Sequence, residues 1–287
     1  MNDNASPRPD GFGPAFFKAN WELVKQDIFN RMLDFHNGSA ELVRINKAYI
    51  VFIPKKLGAT NPDNFRPMSL QNCLIKIVSK CLATRAQPFI PYIVHQDQSR
   101  FIKERGIAHH FTYVADIVQT CFKRKKSTIV LKLDFQKTFD SVSWQLLETV
   151  LKAKGFPTLW RDWISNIKKT SQSAVLLNGN PGSWIQCKKG LRQGDPTSPY
   201  LFIIVADILQ RLILQASANG LLSHPLDSAI PCPVIQYADD TLIILPPDLE
   251  QFTTLKSILL DFSMATGLVI NIHKITFAPI HVDHQSA

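Results

Sequence analysis

The sequence predicts an α+β protein in which an antiparallel sheet is backed by helices. Three observations predict it: apolar residues recur at helical spacing in several segments, short β-branched runs lie between those segments, and no Gly/Ser linker divides the chain. With 287 residues and 45% hydrophobic content, the chain can bury one large or two small cores. There is no internal repeat and no low-complexity tract.

Trp21, Val24, Ile28, Met32 and Phe35 share one helical face, and Asn37-Gly38 ends that helix. Lys47 to Ile53 reads as a strand and Leu74 to Ala86 as a helix. Ser127 to Leu133 is a β-branched run ending in Asp134, which places that acid at the exit of a buried strand. Trp144 to Lys154 is helical and Gly155 stops it. Trp160, Trp163, Ile164 and Ile167 form the apolar face of the next helix, so these tryptophans are core anchors rather than base-stacking platforms. Ala174 to Leu177 and Ser183 to Cys187 flank Asn178-Gly179, a hairpin signal. Ser198 is expected to cap a helix whose first residue is Pro199. Asp207 and Arg211 interrupt the apolar stretch Leu201 to Leu214, which makes it a core helix and not a membrane span. Val234 to Gln236 and Thr241 to Leu245 form a second hairpin with Tyr237-Ala238-Asp239-Asp240 at its tip. Phe252, Leu255, Leu259 and Phe262 lie on one helix, Gly267 stops it, and a strand is expected through Leu268 to Ile272.

The net charge of +9 suits a polyanionic partner. Basic residues cluster at Lys55-Lys56, Lys123 to Lys126, Lys168-Lys169 and Lys188-Lys189, which together outline a phosphate-backbone footprint. Five cysteines without C-x-x-C spacing imply reduced thiols and an intracellular setting. The first ten residues are polar and contain proline, unlike a signal peptide. The histidines have no metal-ligand spacing, and His281-Val282-Asp283-His284 belongs to a terminal tail.

Two adjacent carboxylates at a hairpin tip repel one another, and burying them is costly unless a cation intervenes. Oxygen-only ligands favour Mg²⁺ or Mn²⁺ over zinc. A strand exit beside that tip can place Asp134 and Asp239 on the same two ions, the arrangement that clamps both oxygens of a phosphoryl displacement. Taken singly, each acid also reads as a solvated turn or cap residue.

Lys132-Leu133-Asp134-Phe135-Gln136-Lys137-Thr138-Phe139-Asp140, then Gly190-Leu191-Arg192-Gln193-Gly194-Asp195-Pro196, then Tyr237-Ala238-Asp239-Asp240 occur in that order. Together they resemble the successive motifs of reverse transcriptases from non-LTR (LINE-type) retrotransposons, plant elements especially. Phe65 to Leu70, Gln98 to Ile102, and Gly267 to Asn271 with Lys274 resemble further motifs, so the similarity spans nearly the whole chain. The resemblance implies right-hand polymerase fingers and palm with the thumb largely absent. Residues 1–45 would be an N-terminal helical extension, 46–126 fingers, 127–280 palm with fingers segments interleaved, and 281–287 a tail.

The resemblance also implies roles. Asp134 and Asp239 would bridge two Mg²⁺ or Mn²⁺ ions, with Asp240 as a supporting acid on the same metals and main-chain carbonyls after Asp134 completing the shell. Phe135, Phe139, Gln193, Gly194, Arg66, Lys55, Lys274 and Tyr237 would form the nucleotide site. Phe139 would exclude a 2′-hydroxyl, although by itself it also reads as a core filler. Arg66 and Lys55 would grip the triphosphate, because arginine offers forked donors to phosphate oxygens. Lys274 would meet the departing pyrophosphate, or is simply an exposed strand-end lysine. Gln193-Gly194 would line the nucleotide and template side, while Arg192 and Asp195 equally read as a local ion pair. The implied partners are an RNA template, a DNA primer and deoxynucleoside triphosphates, with no membrane, as part of a larger polyprotein acting in the nucleus. Thr138, Arg100, Thr197 and Ile275 depart from the family pattern, which keeps open a truncated or repurposed nucleic-acid-binding remnant without turnover. An RNA-templated RNA polymerase shares the acids, and Phe139 argues against it.

Overall fold

The computed structural model describes residues 8–282. The first seven residues of the expected N-terminal extension, and Asp283 and His284 of the expected tail, lie outside the described residues. In chain order the helices are α1 (Pro14–Ala19), α2 (Trp21–His36), α3 (Cys73–Ala86), α4 (Ile90–Ile93), α5 (Ile107–Lys123), α6 (Thr138–Ser141), α7 (Trp144–Ala153), α8 (Thr158–Lys169), α9 (Ser198–Ala218) and α10 (Leu249–Thr266). The strands are β1 (Lys47–Pro54), β2 (Phe65–Gln71), β3 (Thr128–Leu133), β4 (Gln172–Leu177), β5 (Asn180–Pro181), β6 (Ile185–Gln186), β7 (Val234–Tyr237), β8 (Asp240–Leu245) and β9 (Thr276–Ile280).

The chain divides into two compact units: residues up to Ala86 with Glu148–Pro199, and Gln87–Leu147 with residues from Tyr200 onward. These limits differ from the sequence-based ones. Residues 87–126, expected in the fingers, fall in the unit with the sheet that carries the acids, and 148–199, within the stretch where fingers segments were expected to interleave with the palm, fall with β1 and β2.

In the first unit β1 pairs antiparallel with β2 and parallel with β4, which also bonds β5 and β6. The Asn178-Gly179 turn forms as expected, with both residues at positive φ. Trp160, Trp163, Ile164 and Ile167 are buried on α8, and the Phe35 and Trp163 rings lie 5.9 Å apart. Ser198 is the first residue of α9 rather than its cap, and its Oγ has no partner. Its place near the helix start is taken by Asp195, whose Oδ1 accepts from Thr197 N at 2.8 Å and Thr197 Oγ1 at 2.6 Å.

Lys168 is buried, so it contributes nothing to an exposed basic footprint. Its amphipathic helix turns it inward, where burial lowers its pKa and the Asp195 carboxylate opposes that fall. Asp195 also accepts from Ser79 Oγ at 2.9 Å, and its pKa lies below its ordinary value because the Lys168 charge and these hydrogen bonds outweigh its own burial. Arg192 does not pair with Asp195. Its guanidinium donates to Asn46 Oδ1, to Asn46 O at 3.0 Å and to Gln172 O at 2.8 Å, tying the loop to β1 and β4.

In the second unit the sheet runs β7-β8-β3-β9, antiparallel throughout. Ile117 and Cys121 of α5 pack with Ile244 of β8 beneath it. Helix α9 is long and apolar enough to span a membrane, but it is a core helix: Phe202, Ile203, Ile204 and Leu209 are wholly buried, and buried Asp207 pairs with Arg211 at 2.6 Å. No strand forms through Leu268–Ile272. There, Phe135 makes one isolated bridge to Ile270, a short 3₁₀ turn follows over Ile272–Lys274, and β9 comes later. Gly267 is obligatory at the end of α10: its φ is +78°, and a Cβ there would stand 2.4 Å from the Ser141 carbonyl oxygen. His281 is held and not part of a loose tail, its ring stacked on Phe122 at 5.0 Å.

Candidate active site

β3 is a central strand with Ile129, Leu131 and Leu133 buried and Lys132 exposed between them. That period-two alternation puts Asp134, the next residue beyond the strand, on the Lys132 side. Leu133 pairs with Thr241, so Asp134 leaves β3 level with Asp240 at the start of β8. At the hairpin tip Tyr237 pairs with Asp240, leaving Ala238 and Asp239 as a two-residue turn. Ala238 has φ +58°, an unusual conformation for a residue with a side chain.

Burial pushes the Asp239 carboxyl above its ordinary value. Its own backbone N–H opposes this, and the charges of Asp240 and Asp134 add to the rise. Thr138 Oγ1 is 3.5 Å from Asp239 Oδ2 and 3.3 Å from Phe135 O, so the threonine standing where the family pattern has alanine reaches an acid of the site. Asp134 Oδ2 lies 3.3 Å from Lys274 Nζ and accepts from Asn271 Nδ2 at 3.3 Å, while Asn271 N donates to Asp134 O at 2.8 Å.

The charges of Asp134 and Asp240 act on Asp239, but the three carboxylates are not arranged as a ready metal cage. Asp240 Oδ1 lies 3.0 Å from Lys132 Nζ, and no three His, Cys, Asp or Glu side chains converge as a metal cage among the described residues. Lys132 was missed by the sequence reading, although its position two residues before Asp134 in an alternating strand was a usable signal. The hydrogen bond and charge of Asp240 raise the Lys132 pKa, and the charges of Asp134 and Asp239 reinforce them, so all three acids act on one ammonium group.

The other candidates fall into two groups. In the second unit the Phe135 ring is buried against Phe262 at 5.9 Å. Phe139 is half-buried, 5.1 Å from the buried Phe202 ring. Lys274 ends the Ile272–Lys274 turn instead of a strand. Tyr237 lies under the Arg100 guanidinium at 4.8 Å, and Arg100 Nη1 donates to its hydroxyl. In the first unit Arg66 is exposed on β2, and Lys55 Nζ donates to Asp63 O at 2.8 Å. Gln193 O accepts from Ser69 N at 3.0 Å, which brings the 193–194 loop alongside β2. Gly194 has φ +95° there, a conformation that suits glycine.

A sequence family described as reverse transcriptase (RNA-dependent DNA polymerase) matches residues 53–283. The chain belongs to this family. Two curated relatives place this reverse transcriptase domain with non-LTR elements. It is 29% identical over 271 residues to a Retrovirus-related Pol polyprotein from the type-2 retrotransposable element R2DM of Drosophila melanogaster, covering 94% of this chain and 24% of that protein. It is 26% identical over 290 residues to the Transposon TX1 uncharacterized 149 kDa protein of Xenopus laevis, covering 97% of this chain and 22% of that one. The chain thus spans about a quarter of the length of these relatives. Among solved structures, apo telomerase from Candida tropicalis superposes with TM-score 0.59 at 11% identity, over 84% of this chain and 51% of that one. That likeness gives the fold: mixed α and β with antiparallel sheets and helices, consistent with fingers and palm.

Proposed function

We propose that the chain is the polymerase core of a non-LTR retroelement polyprotein, extending a DNA primer on an RNA template with deoxynucleotides. One observation carries this: Asp134 leaves the end of β3 where Leu133 pairs with Thr241, and Asp239 stands at the tip of the adjoining β7–β8 hairpin, so a strand exit and a hairpin tip present two acids at one end of the sheet. Two anions so arranged, with oxygen donors alone, suit hard divalent ions, Mg²⁺ or Mn²⁺. Asp134 and Asp239 would hold them, with Asp240 in support once it leaves Lys132. When bound, a pair of such ions activates the primer 3′-hydroxyl and offsets charge on the transferred phosphoryl group.

The chain's own residues position the reactants. Asn271 orients Asp134 and Thr138 orients Asp239. Phe139, stiffened by Phe202, would sit under the incoming sugar and leave no room for a 2′-hydroxyl. Arg66 and Lys55 would take the triphosphate, with Gln193 and Gly194 beside the templating base and Lys274 released from Asp134 to meet the pyrophosphate. Motif similarity supports a plant source and a nuclear place of action.

The pairing of Asp240 with Lys132 and of Asp134 with Lys274 favours a second reading, a nucleic-acid-binding remnant whose acids are neutralised by lysines. Primer extension on RNA and DNA templates separates the two. The polymerase reading expects incorporation that is nearly abolished in Asp134→Asn and Asp239→Asn. Near-parental extension by Asp239→Asn overturns the two-ion role, and salt-sensitive binding without any extension favours the remnant.

A further inference from the structure

The acid Asp239 is placed by a turn that its own sequence does not favour. Ala238 adopts φ +58°, and in L-residues such a conformation persists only where its surroundings impose it. The imposing group is Gln98, which is wholly buried. Its Oε1 accepts from Ala238 N at 3.0 Å and its Nε2 lies 3.4 Å from Ala238 O, so one amide engages both backbone polar groups of the strained residue. Oε1 also accepts from Arg100 N at 3.1 Å. These partners fix the orientation of the amide, because Ala238 N–H and Arg100 N–H both require the oxygen.

Gln98 is itself held on both sides. Gln236 N donates to Asp97 O at 2.9 Å and Ser99 N to Gln236 O at 3.2 Å, which ties this segment to β7 like a short added strand. Gln236 Nε2 continues to Ala206 O of the core helix α9 at 3.2 Å. From the far side Arg105 donates to Pro91 O and His95 O, both at 2.7 Å, and to Gln98 O at 3.1 Å, so one guanidinium pins the bend that carries Gln98.

We infer that Gln98 is a positioning residue of the polymerase site: it holds the Ala238 turn so that the Asp239 carboxylate faces Asp134. A segment distant in sequence thereby sets the geometry of an acid that it never touches. This inference rests on the proposed role of Asp239 in binding divalent ions, and the two fail separately.

The test measures Mn²⁺ binding to the full chain by the loss of free-ion electron paramagnetic resonance signal, with circular dichroism and thermal midpoint recorded for each variant. Gln98→Met keeps the volume and removes the side-chain amide hydrogen bonds to Ala238 and Arg100. It is expected to weaken Mn²⁺ binding by about tenfold or more, since small misplacements of ligands carry such penalties, with an unchanged circular dichroism spectrum. Ala238→Gly introduced into Gln98→Met should restore part of that loss, because glycine adopts positive φ without help. A purely structural Gln98 would give no such rescue.

Parental Mn²⁺ binding by a folded Gln98→Met overturns the inference, as does a loss that Ala238→Gly leaves untouched. Should Gln98→Met not fold, Arg105→Lys takes its place. It keeps the charge but loses the forked donors, and weakened Mn²⁺ binding supports the inference while parental binding overturns it. Parental binding by Asp239→Asn, by contrast, defeats the ion-binding reading of that acid and the inference that stands on it; loss in Asp239→Asn with none in Gln98→Met defeats the inference alone.

Discussion

Lys132 Nζ lies 3.0 Å from Asp240 Oδ1, one strand away across the β3–β8 pair, and the charges of Asp134 and Asp239 also act on it. Both partners are about half exposed, so the pair contributes only ~0–1 kcal/mol to stability. Its effect falls on the field at the acids. Lys132→Met should leave the thermal midpoint within a few degrees of the parent. It should also lower the Mn²⁺ concentration needed for half-saturation, because a competing cation is removed. A titration with unchanged half-saturation would show that Lys132 does not compete.

The raised Asp239 pKa has a defined consequence for pH. An acid whose folded pKa lies above its ordinary value of 3.8 favours folding below that value, and the favour is lost as pH rises through the folded pKa. Metal-free protein should therefore gain stability from Asp239→Asn at neutral pH, and the gain should vanish below about pH 4, where Asp239 is protonated in both states. Thermal melts in chelator across pH measure this. A gain that persists in acid would assign the effect to packing instead of charge.

Phe139 has two measurable roles. Phe139→Val removes ring contact with Phe202, which should cost ~1–2 kcal/mol for a half-buried aromatic residue. If the ring also closes the sugar pocket, ribonucleotide use relative to deoxynucleotide use should rise about tenfold or more. Loss of stability with unaltered discrimination would make Phe139 a core residue only.

The first unit offers a test of two buried opposite charges that act on each other. Asp195→Ala strands the Lys168 ammonium and removes the acceptor of Ser79 and Thr197, with an expected cost of ~3–5 kcal/mol in urea unfolding. Lys168→Met combined with Asp195→Asn keeps an acceptor for Thr197 and removes both charges, so it should cost much less than the single alanine change. Additive losses across the cycle would mean that the two groups do not interact.

Arg100 covers the Tyr237 ring and stands where the family pattern has glycine. Arg100 is exposed, so if it also neutralises a phosphate of the bound duplex, Arg100→Gly should weaken primer–template binding and reduce the salt slope by about one phosphate contact. An identical slope would restrict Arg100 to holding Tyr237.

Local signals carried much of this protein. The alternation of Ile129, Leu131 and Leu133 against Lys132 defines β3 and delivers Asp134 to its end, while Asn178-Gly179 and Gly267 mark positions where positive φ is required. These readings succeed because the physics lies within a few residues of chain. β9 escaped because Pro279 and its exposed side chains give no buried periodicity, as befits an edge strand, and its existence depends on bonding to β3. Lys168 reads as surface charge in the sequence, and only the packing of α8 turns it inward to the Asp195 carboxylate. The sequence by itself determined which acids stand at the strand exit and hairpin tip. The tertiary structure alone decided that Lys132 pairs with Asp240 and that Gln98 grips Ala238 across 140 residues of chain. Such pairings depend on which segments the core brings together, and no periodicity along the chain records that.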